Sequence, residues 1–136
     1  MIKEILPPEA MAILEQDPNA VLLDVRTTME YDYVGHPVKA LHIPWMEFPE
    51  WKVDPEFTDK VRRALQEQNK NPIETTPILA LCRSGKRSLA AAEELVKHGF
   101  TCVYNIAEGF EGERDAEKHR SSINGWRFRG LSWEQS

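Results

Sequence analysis

Residues 78–85 read ILALCRSG: an unbroken apolar run leads into a cysteine and a polar loop that contains glycine. A second apolar run, residues 20–23, reads AVLL, and neither run alternates polar with apolar residues. Strands that are buried on both faces of a parallel sheet show this continuous pattern. Residues 40–43 and 102–106 are weaker strand candidates, and residues 1–5 could supply an edge strand. The sequence therefore predicts several short parallel strands around the two apolar runs.

Helical patterns lie between the predicted strands. Pro7 and Pro8 open a segment that predicts a helix as far as Gln16, since proline is tolerated in a first turn. Apolar residues recur at helical spacing in residues 56–69 and again in residues 88–98, which a glycine follows. Strands that alternate with helices predict an α/β fold, with a mostly parallel central sheet of about five strands and helices on both faces. No linker-like composition interrupts the chain, so residues 1–136 are predicted to form a single domain.

Composition and charge argue against several classes of protein. Of the 136 residues, 41% are hydrophobic and 29% are charged, so the chain can bury a core and does not resemble a disordered protein. The 22 acidic residues outnumber the 17 lysines and arginines, which argues against a nucleic-acid partner. No apolar run is long enough to span a membrane, and the first residues include an acid and two prolines where a secretory signal would be apolar. The two cysteines are therefore expected to be reduced thiols in the cytoplasm.

Ligands of open parallel sheets bind beyond the carboxyl ends of the strands. Asp24 and Arg26 follow the first apolar run, and Cys82 with its loop follows the second. A tight strand-to-helix turn points backbone N–H groups inwards, and the helix N-terminus adds positive potential. The loop also carries three cations, Arg83, Lys86 and Arg87. These features favour an anion, either a thiolate at Cys82 or a charged substrate above it.

Each cysteine also has a plainer interpretation, because a free cysteine is more often a small buried hydrophobic residue than a nucleophile. For Cys82, three cations and Gly85 at a strand-to-helix junction favour the nucleophile. Cys102 lacks such neighbours and is interpreted as a buried hydrophobic residue. The alternative for Cys102 is a resolving thiol that forms a disulfide with Cys82.

Five motifs occur in an order that resembles a known family. They are Asp24-Val25-Arg26, Glu30-Tyr31, Gly35-His36, ALHIP at residues 40–44 and CRSGKRS at residues 82–88. Together they resemble the successive motifs of the single-domain rhodanese (thiosulfate sulfurtransferase) family, from about Val21 to Trp133. The resemblance is specific because the whole set occurs in the family's order, although any one motif alone would be a weak signal.

The resemblance implies a reaction and the residues that carry it. Members take a sulfane sulfur from thiosulfate or a similar small anionic donor, hold it as a cysteine persulfide, and pass it to a thiophilic acceptor such as cyanide or a thiol. Cys82 would be the nucleophile and persulfide carrier. Its active-site loop would consist of Arg83, Ser84, Gly85, Lys86, Arg87 and Ser88. A protein could also serve as sulfur donor or acceptor, and nothing in the sequence implies a metal, an organic cofactor, a nucleic acid or a membrane as partner.

Two other functions stay open. Phosphatases and arsenate reductases of the same architecture have a cysteine, five residues and then an arginine, but counting from Cys82 places Ser88 where that arginine should be. Arg87 lies one residue too early. The chain could also be a non-catalytic binding or redox-sensing module, although the complete loop favours the enzyme.

Other residues are expected to support the site. Asp24 and Arg26 could reach the loop, with Asp24 accepting loop N–H groups or pairing with Arg87. Glu30 is expected to form an ion pair that steadies the site. Residues 108–124 are polar and lack clear periodicity, and they could fold over the loop and select the acceptor.

Overall fold

A computed structural model describes all 136 residues. Its strands are β1 (Ile2–Ile5), β2 (Val21–Asp24), β3 (His36–Pro37), β4 (Leu41–His42), β5 (Met46–Glu47), β6 (Lys52–Val53), β7 (Ile78–Leu81), β8 (Val103–Ile106) and β9 (Trp133–Glu134). Its helices are α1 (Pro7–Gln16), α2 (Phe57–Glu67) and α3 (Lys86–Lys97), with a π-helical turn at Glu30–Val34 and a 3₁₀ turn at Ile73–Thr75. The longest helix has 12 residues, and none of the three could cross a membrane.

The central sheet has five strands in the order β1-β8-β7-β2-β4, and all neighbouring pairs are parallel. The predicted α/β architecture is therefore confirmed, with the two continuous apolar runs as the middle strands β7 and β2. Every residue of β2 and β7 is buried, which is why neither strand alternates in polarity.

Helices cover both faces of the sheet, as predicted. One hydrophobic cluster packs α2 and α3 against side chains such as Leu23 and Ala80. The other packs α1 and a C-terminal segment that includes Phe110 and Trp126 against the opposite face. Successive residues of one strand therefore enter different clusters, because side chains alternate across a sheet.

Several predicted boundaries were wrong by a few residues. Helix α3 begins at Lys86 rather than Ser88, because Gly85 takes the position before the helix with φ of 104°. Helix α2 ends at Glu67, and Asn69 is already left-handed at φ 59°. The predicted strand over residues 40–43 contains only Leu41–His42, and β8 starts one residue after Cys102.

Two small antiparallel pairs were not predicted from the sequence. Strand β3 pairs with β9, so the C-terminus returns to His36, and β5 pairs with β6. Both consist of two-residue strands, which are too short to give a periodic pattern. The β5–β6 hairpin matters for the site because Met46, at its start, lies at the pocket described next.

Candidate active site

Cys82 directly follows β7 and lines a pocket of about 460 Å³. Only 1% of the residue is exposed. The other residues lining this pocket are Met46, Trp51, Arg83, Ser84, Lys86 and Arg87. The pocket therefore joins an apolar wall from the β5–β6 hairpin to the basic loop predicted from the sequence.

Two polar groups lie close to the Cys82 sulfur. The backbone N–H of Gly85 donates to Sγ at 3.1 Å, and the Ser88 hydroxyl oxygen lies 3.3 Å from Sγ. Ser88 is fully buried. Residues three and six positions after Cys82 therefore contact its sulfur, and Gly85 does so through its backbone N–H.

Residues 110–112, shortly after β8, hydrogen-bond to the Cys82 loop on the side where its first two carbonyls point. Phe110 N–H donates to the Cys82 carbonyl at 2.8 Å, and Glu111 and Gly112 N–H groups donate to the Arg83 carbonyl at 3.0 and 3.2 Å. In a trans peptide the C=O and N–H point to opposite sides. The N–H groups of Arg83 and Ser84 are therefore turned away from this segment.

The loop leaves a set of backbone donors without an acceptor in the protein. The five N–H groups concerned belong to Arg83, Ser84, Lys86, Arg87 and Ser88. The last three lie in the first turn of α3, where a helix has no internal acceptors for them. Such an arrangement binds anions through both its hydrogen bonds and the helix dipole.

Gly109 allows the close contact between the segment and the loop. A Cβ at this position would lie 2.5 Å from the Arg83 carbonyl carbon and 2.6 Å from the Cys82 carbonyl oxygen. Its φ of +68° also disfavours any larger residue. Residue 109 therefore tolerates only glycine while the loop keeps this shape.

Glu30 forms an ion pair with Arg87. The two guanidinium nitrogens donate to the two carboxylate oxygens at 2.7 and 2.8 Å, and Glu30 also accepts from the Thr27 hydroxyl. Burial alone would raise the pKa of Glu30, but the hydrogen bonds and charge of Arg87 outweigh it and lower that pKa from 4.5 to about 2. Glu30 thereby fixes the direction of the Arg87 side chain, which lines the Cys82 pocket.

Arg83 and Lys86 form no ion pair with any carboxylate. Lys86 and Ser84 also border a second cleft, of about 650 Å³, to which residues 108–124 contribute three cations, Arg114, Lys118 and Arg120, and two acids, Glu113 and Asp115. Burial, together with the positive charges of Arg83 and Arg114, lowers the pKa of Arg120 below its ordinary value. Unpaired positive charge is thus concentrated around the pocket of a chain whose net charge is −5.

Asp24 and Arg26 are placed differently from the expectation. Asp24 does not pair with Arg87; it accepts from the Arg26 guanidinium at 2.7 to 3.2 Å and from the Arg26 N–H at 3.1 Å. Arg26 also donates to the Gly35 carbonyl at 2.7 Å and packs over the Phe110 ring. Both residues have 0% exposure and neither lines the Cys82 pocket, while the third guanidinium nitrogen, Nη1, has no hydrogen-bond partner.

Cys102 lies at the other end of the sheet from Cys82. Its carbonyl accepts from Ile78 N–H at 2.9 Å, which places it at the amino end of β7, whereas Cys82 follows the carboxyl end. Four strand residues separate these levels by roughly 13 Å, far beyond disulfide reach. The resolving-thiol alternative is therefore wrong for this structure, and Cys102 is a partly buried free thiol.

Sequence reasoning missed Asn105, which contacts the loop from β8. Its side chain donates to the Gly85 carbonyl at 3.1 Å, and its oxygen accepts from the Ser88 hydroxyl. A polar residue near the carboxyl end of a strand next to β7 was the available signal. No group of three or more His, Cys, Asp or Glu side chains is placed to hold a metal ion.

Comparisons with known proteins agree with this architecture. A family model described as a rhodanese-like domain matches residues 6–115. The uncharacterised RP600 homolog of Rickettsia rickettsii is 31% identical over 136 residues, with 98% of both chains covered. These matches extend over most of the chain, including the Cys82 loop.

Solved structures give the same result. The crystal structure of Rv0390 from M. tuberculosis aligns with a TM-score of 0.84 and 36% identity, and 98% of each chain is covered. The human single-domain sulfurtransferase TSTD1 aligns with a TM-score of 0.58 and 24% identity, over 80% of this chain and 90% of that one. The second likeness concerns the fold alone.

Proposed function

The chain belongs to the rhodanese-like domain family, and from this premise we propose that it is a sulfurtransferase that carries sulfane sulfur on Cys82. The observation that carries the proposal is the place of the Cys82 thiol, in a pocket ringed by unpaired N–H groups and unpaired cations. We propose further that residues 1–136 act as one domain in the cytoplasm, where the reaction's free thiol stays reduced.

In the first half-reaction, the Cys82 thiolate attacks the outer sulfur of thiosulfate or a similar anionic donor. The bond between the two donor sulfurs breaks, sulfite leaves with the electron pair, and Cys82 becomes a persulfide. The donor and the leaving group are both anions, so Arg83, Lys86 and the free N–H groups would attract the first and stabilise charge on the second.

In the second half-reaction, a thiophilic acceptor attacks the outer persulfide sulfur. Cyanide would leave as thiocyanate and a thiolate would leave as a new persulfide, and in both cases Cys82 returns as a thiolate. The persulfide sulfur is a small anion that the loop N–H groups can surround. The second cleft has four cations, Lys86, Arg114, Lys118 and Arg120, against two acids, Glu113 and Asp115. This excess of positive charge supports acceptors or donors that carry further negative charge, including a protein partner.

Loop geometry supports sulfur transfer over phosphoryl or arsenate chemistry. Those reactions need an arginine that closes over a tetrahedral oxyanion. Here Ser88 occupies the corresponding position, and Arg87 is bound to both oxygens of Glu30. The arginine nearest that position is therefore held by Glu30 and is not free to close over a phosphoryl group.

The decisive experiment combines turnover with intact mass. Wild type, Cys82→Ser and Cys102→Ser are incubated with thiosulfate alone, and their masses are compared. Each is then assayed for thiocyanate formation from thiosulfate and cyanide. We expect wild type and Cys102→Ser to gain one sulfur atom and to turn over, and Cys82→Ser to do neither.

Other results would change the proposal in defined ways. A gained sulfur atom without turnover would support the donor half-reaction and exclude cyanide as the acceptor. Absence of both signals would favour a non-catalytic binding or redox-sensing module. Hydrolysis of an aryl phosphate that depends on Cys82 would contradict the loop-geometry argument and favour a phosphatase.

A further inference from the structure

Asn105 connects the two groups that lie against the Cys82 sulfur. Its side-chain nitrogen donates to the Gly85 carbonyl at 3.1 Å, and its oxygen lies 2.5 Å from the Ser88 hydroxyl oxygen. Gly85 and Ser88 are the residues that contact Sγ. Asn105 is only 1% exposed, so no solvent competes for these bonds.

The orientation of the Asn105 amide is fixed from the other side by Glu4. Glu4 lies opposite Asn105 in the β1–β8 register, and the Asn105 nitrogen donates to its carboxylate oxygens at 3.0 and 3.2 Å. The carboxylate and the Gly85 carbonyl can only accept, so both must face the NH₂ end of the amide. The oxygen of Asn105 must then face Ser88.

This orientation decides where the Ser88 proton lies. A serine hydroxyl has one proton, and two acceptors compete for it: the Asn105 oxygen at 2.5 Å and Cys82 Sγ at 3.3 Å. Because the Asn105 oxygen has no other donor, the proton belongs to Asn105. Ser88 therefore presents a lone pair to the sulfur, which can accept from an S–H but does not stabilise a thiolate.

We propose that Glu4 is a positioning residue for Cys82: by locking Asn105 it holds the Ser88 proton away from the sulfur and restrains the thiol from becoming a thiolate. Glu4 lies outside the family match at residues 6–115, and its side chain reaches the loop only through Asn105. The proposal concerns the thiol itself and does not depend on the sulfur-transfer reaction.

Charged groups on other elements also face Cys82. Arg83, Lys86 and Arg87 come from its own loop, and Glu30 neutralises Arg87. Asp24, the last residue of β2, and Arg26, two residues later, are paired with each other. Arg83 and Lys86 are thus the charges near Cys82 that no carboxylate neutralises, and the Glu4–Asn105–Ser88 chain differs from them in acting through hydrogen-bond direction.

The test is the pH profile of Cys82 alkylation by iodoacetamide, measured on the full chain in a Cys102→Ser background. Glu4→Gln removes the acceptor-only carboxylate, so the Asn105 oxygen can turn to the glutamine NH₂ in part of the molecules, and only the Gly85 carbonyl still favours the original orientation. We expect the midpoint of the profile to move to lower pH, with alkylation at pH 6 about three- to tenfold faster. The matched control is Glu15→Gln, an exposed glutamate of α1 that makes no side-chain hydrogen bond.

Ionic strength separates hydrogen-bond direction from simple loss of charge. A through-space effect of the exposed Glu4 charge is screened at about 1 M salt, whereas a locked amide is not. The Glu4→Gln shift should therefore persist at high salt. An equal shift in Glu15→Gln, or a shift that vanishes at high salt, would overturn the proposal.

Ser88→Ala gives an independent test, because the direction in which the alkylation midpoint moves differs between the two possible roles of the hydroxyl. If Ser88 accepts from the thiol, removing its hydroxyl leaves the midpoint unchanged or moves it to lower pH. If Ser88 donates to the thiolate instead, the midpoint moves to higher pH, and that result would overturn the proposal even if Glu4→Gln failed to fold. Thermal unfolding of each variant checks that the measured chain is native.

Discussion

Two loops leave neighbouring strands at the same edge of the sheet. The charged side chains of one loop form an ion pair with each other, whereas two cations of the other have no carboxylate partner. Asp24 and Leu81 are paired in register, so the residues that follow β2 and β7 are neighbours. At the end of β2, Asp24 and Arg26 bind each other and are fully buried. After β7, Arg83 and Lys86 have no carboxylate partner and line a pocket above a cysteine. The charges at the end of β2 are neutralised within the fold, whereas the cations after β7 have no carboxylate partner, as the proposed binding of an anionic donor requires.

The largest expected effect is a loss of folding stability when the buried Asp24–Arg26 ion pair is broken. Asp24→Asn leaves the buried Arg26 guanidinium without its counter-charge, and breaking a buried pair in this way costs about 3 to 5 kcal/mol. We expect the midpoint of urea unfolding to fall accordingly. The double variant Asp24→Leu/Arg26→Met removes both charges and should lose clearly less. Equal losses would show that the pair is not what stabilises this loop.

The next largest effect is a loss of activity when the Cys82 loop is displaced by a substitution that changes no charge. Gly109→Ala places a methyl group against the Cys82 and Arg83 carbonyls, so the loop must shift. A displacement of about 1 Å at a reacting group can cost about 100-fold in rate, and we expect a loss of that size in persulfide formation.

Gly130→Ala is the matched control for this substitution. It has a similar φ of +76° but no atom within 4 Å of its Cβ position. It should therefore show only the stability cost of a left-handed alanine. A Gly109→Ala protein with wild-type activity would mean that the segment behind the loop does not set the loop's shape.

Glu30 lies between the two loops, and its ion pair gives a pH-dependent effect. Its folded pKa of about 2 lies below the ordinary 4.5, so its contribution is complete above pH 4.5 and is lost as the pH falls towards 2. With 16% of the side chain exposed, screening reduces the contribution to on the order of 2 kcal/mol. Wild type should lose this stability between pH 4.5 and 2 relative to Glu30→Gln, as measured by urea unfolding. Parallel pH curves for the two proteins would contradict the ion pair.

The smallest expected effect is on substrate affinity, when one of the unpaired cations near Cys82 is removed. Lys86→Gln should raise the KM for thiosulfate about three- to fivefold at low salt, and less at high salt, because exposed charges interact weakly and are screened. Lys97→Gln is a matched control in the last turn of the same helix, roughly 16 Å away. Equal effects of the two substitutions would show that net charge, and not the loop, attracts the donor.

The parts of the fold that follow from local pattern could be predicted from the sequence. Continuous apolar runs identified β2 and β7, and the residues after them located the candidate site, because position along a parallel strand determines which edge a residue occupies. The pairing partners could not be predicted. Whether Asp24 binds Arg87 or Arg26 depends on side-chain directions within a few ångströms, which spacing does not encode.

Asn105 and Glu4 were missed for a different reason. Each belongs to a strand predicted only weakly, and their contact requires knowing that β1 lies beside β8 at the sheet edge. The two-residue strands β3, β5, β6 and β9 left no pattern at all. Strand order and side-chain pairing are tertiary properties, so residues that act through them become visible only once the chain is folded.

The backbone bonds from residues 110–112 to the loop have a consequence for energetics. They fix the peptide planes of Cys82 and Arg83 through bonds within the protein itself, so the free energy needed to align the N–H dipoles is supplied during folding. Because these N–H groups are already aligned, the loop needs little reorganisation energy when an anion binds or when negative charge moves between Cys82 Sγ and the outer persulfide sulfur. The loop backbone should therefore keep the same conformation in the thiol and persulfide states, and the speed of exchange between them should depend on bond chemistry rather than on loop motion.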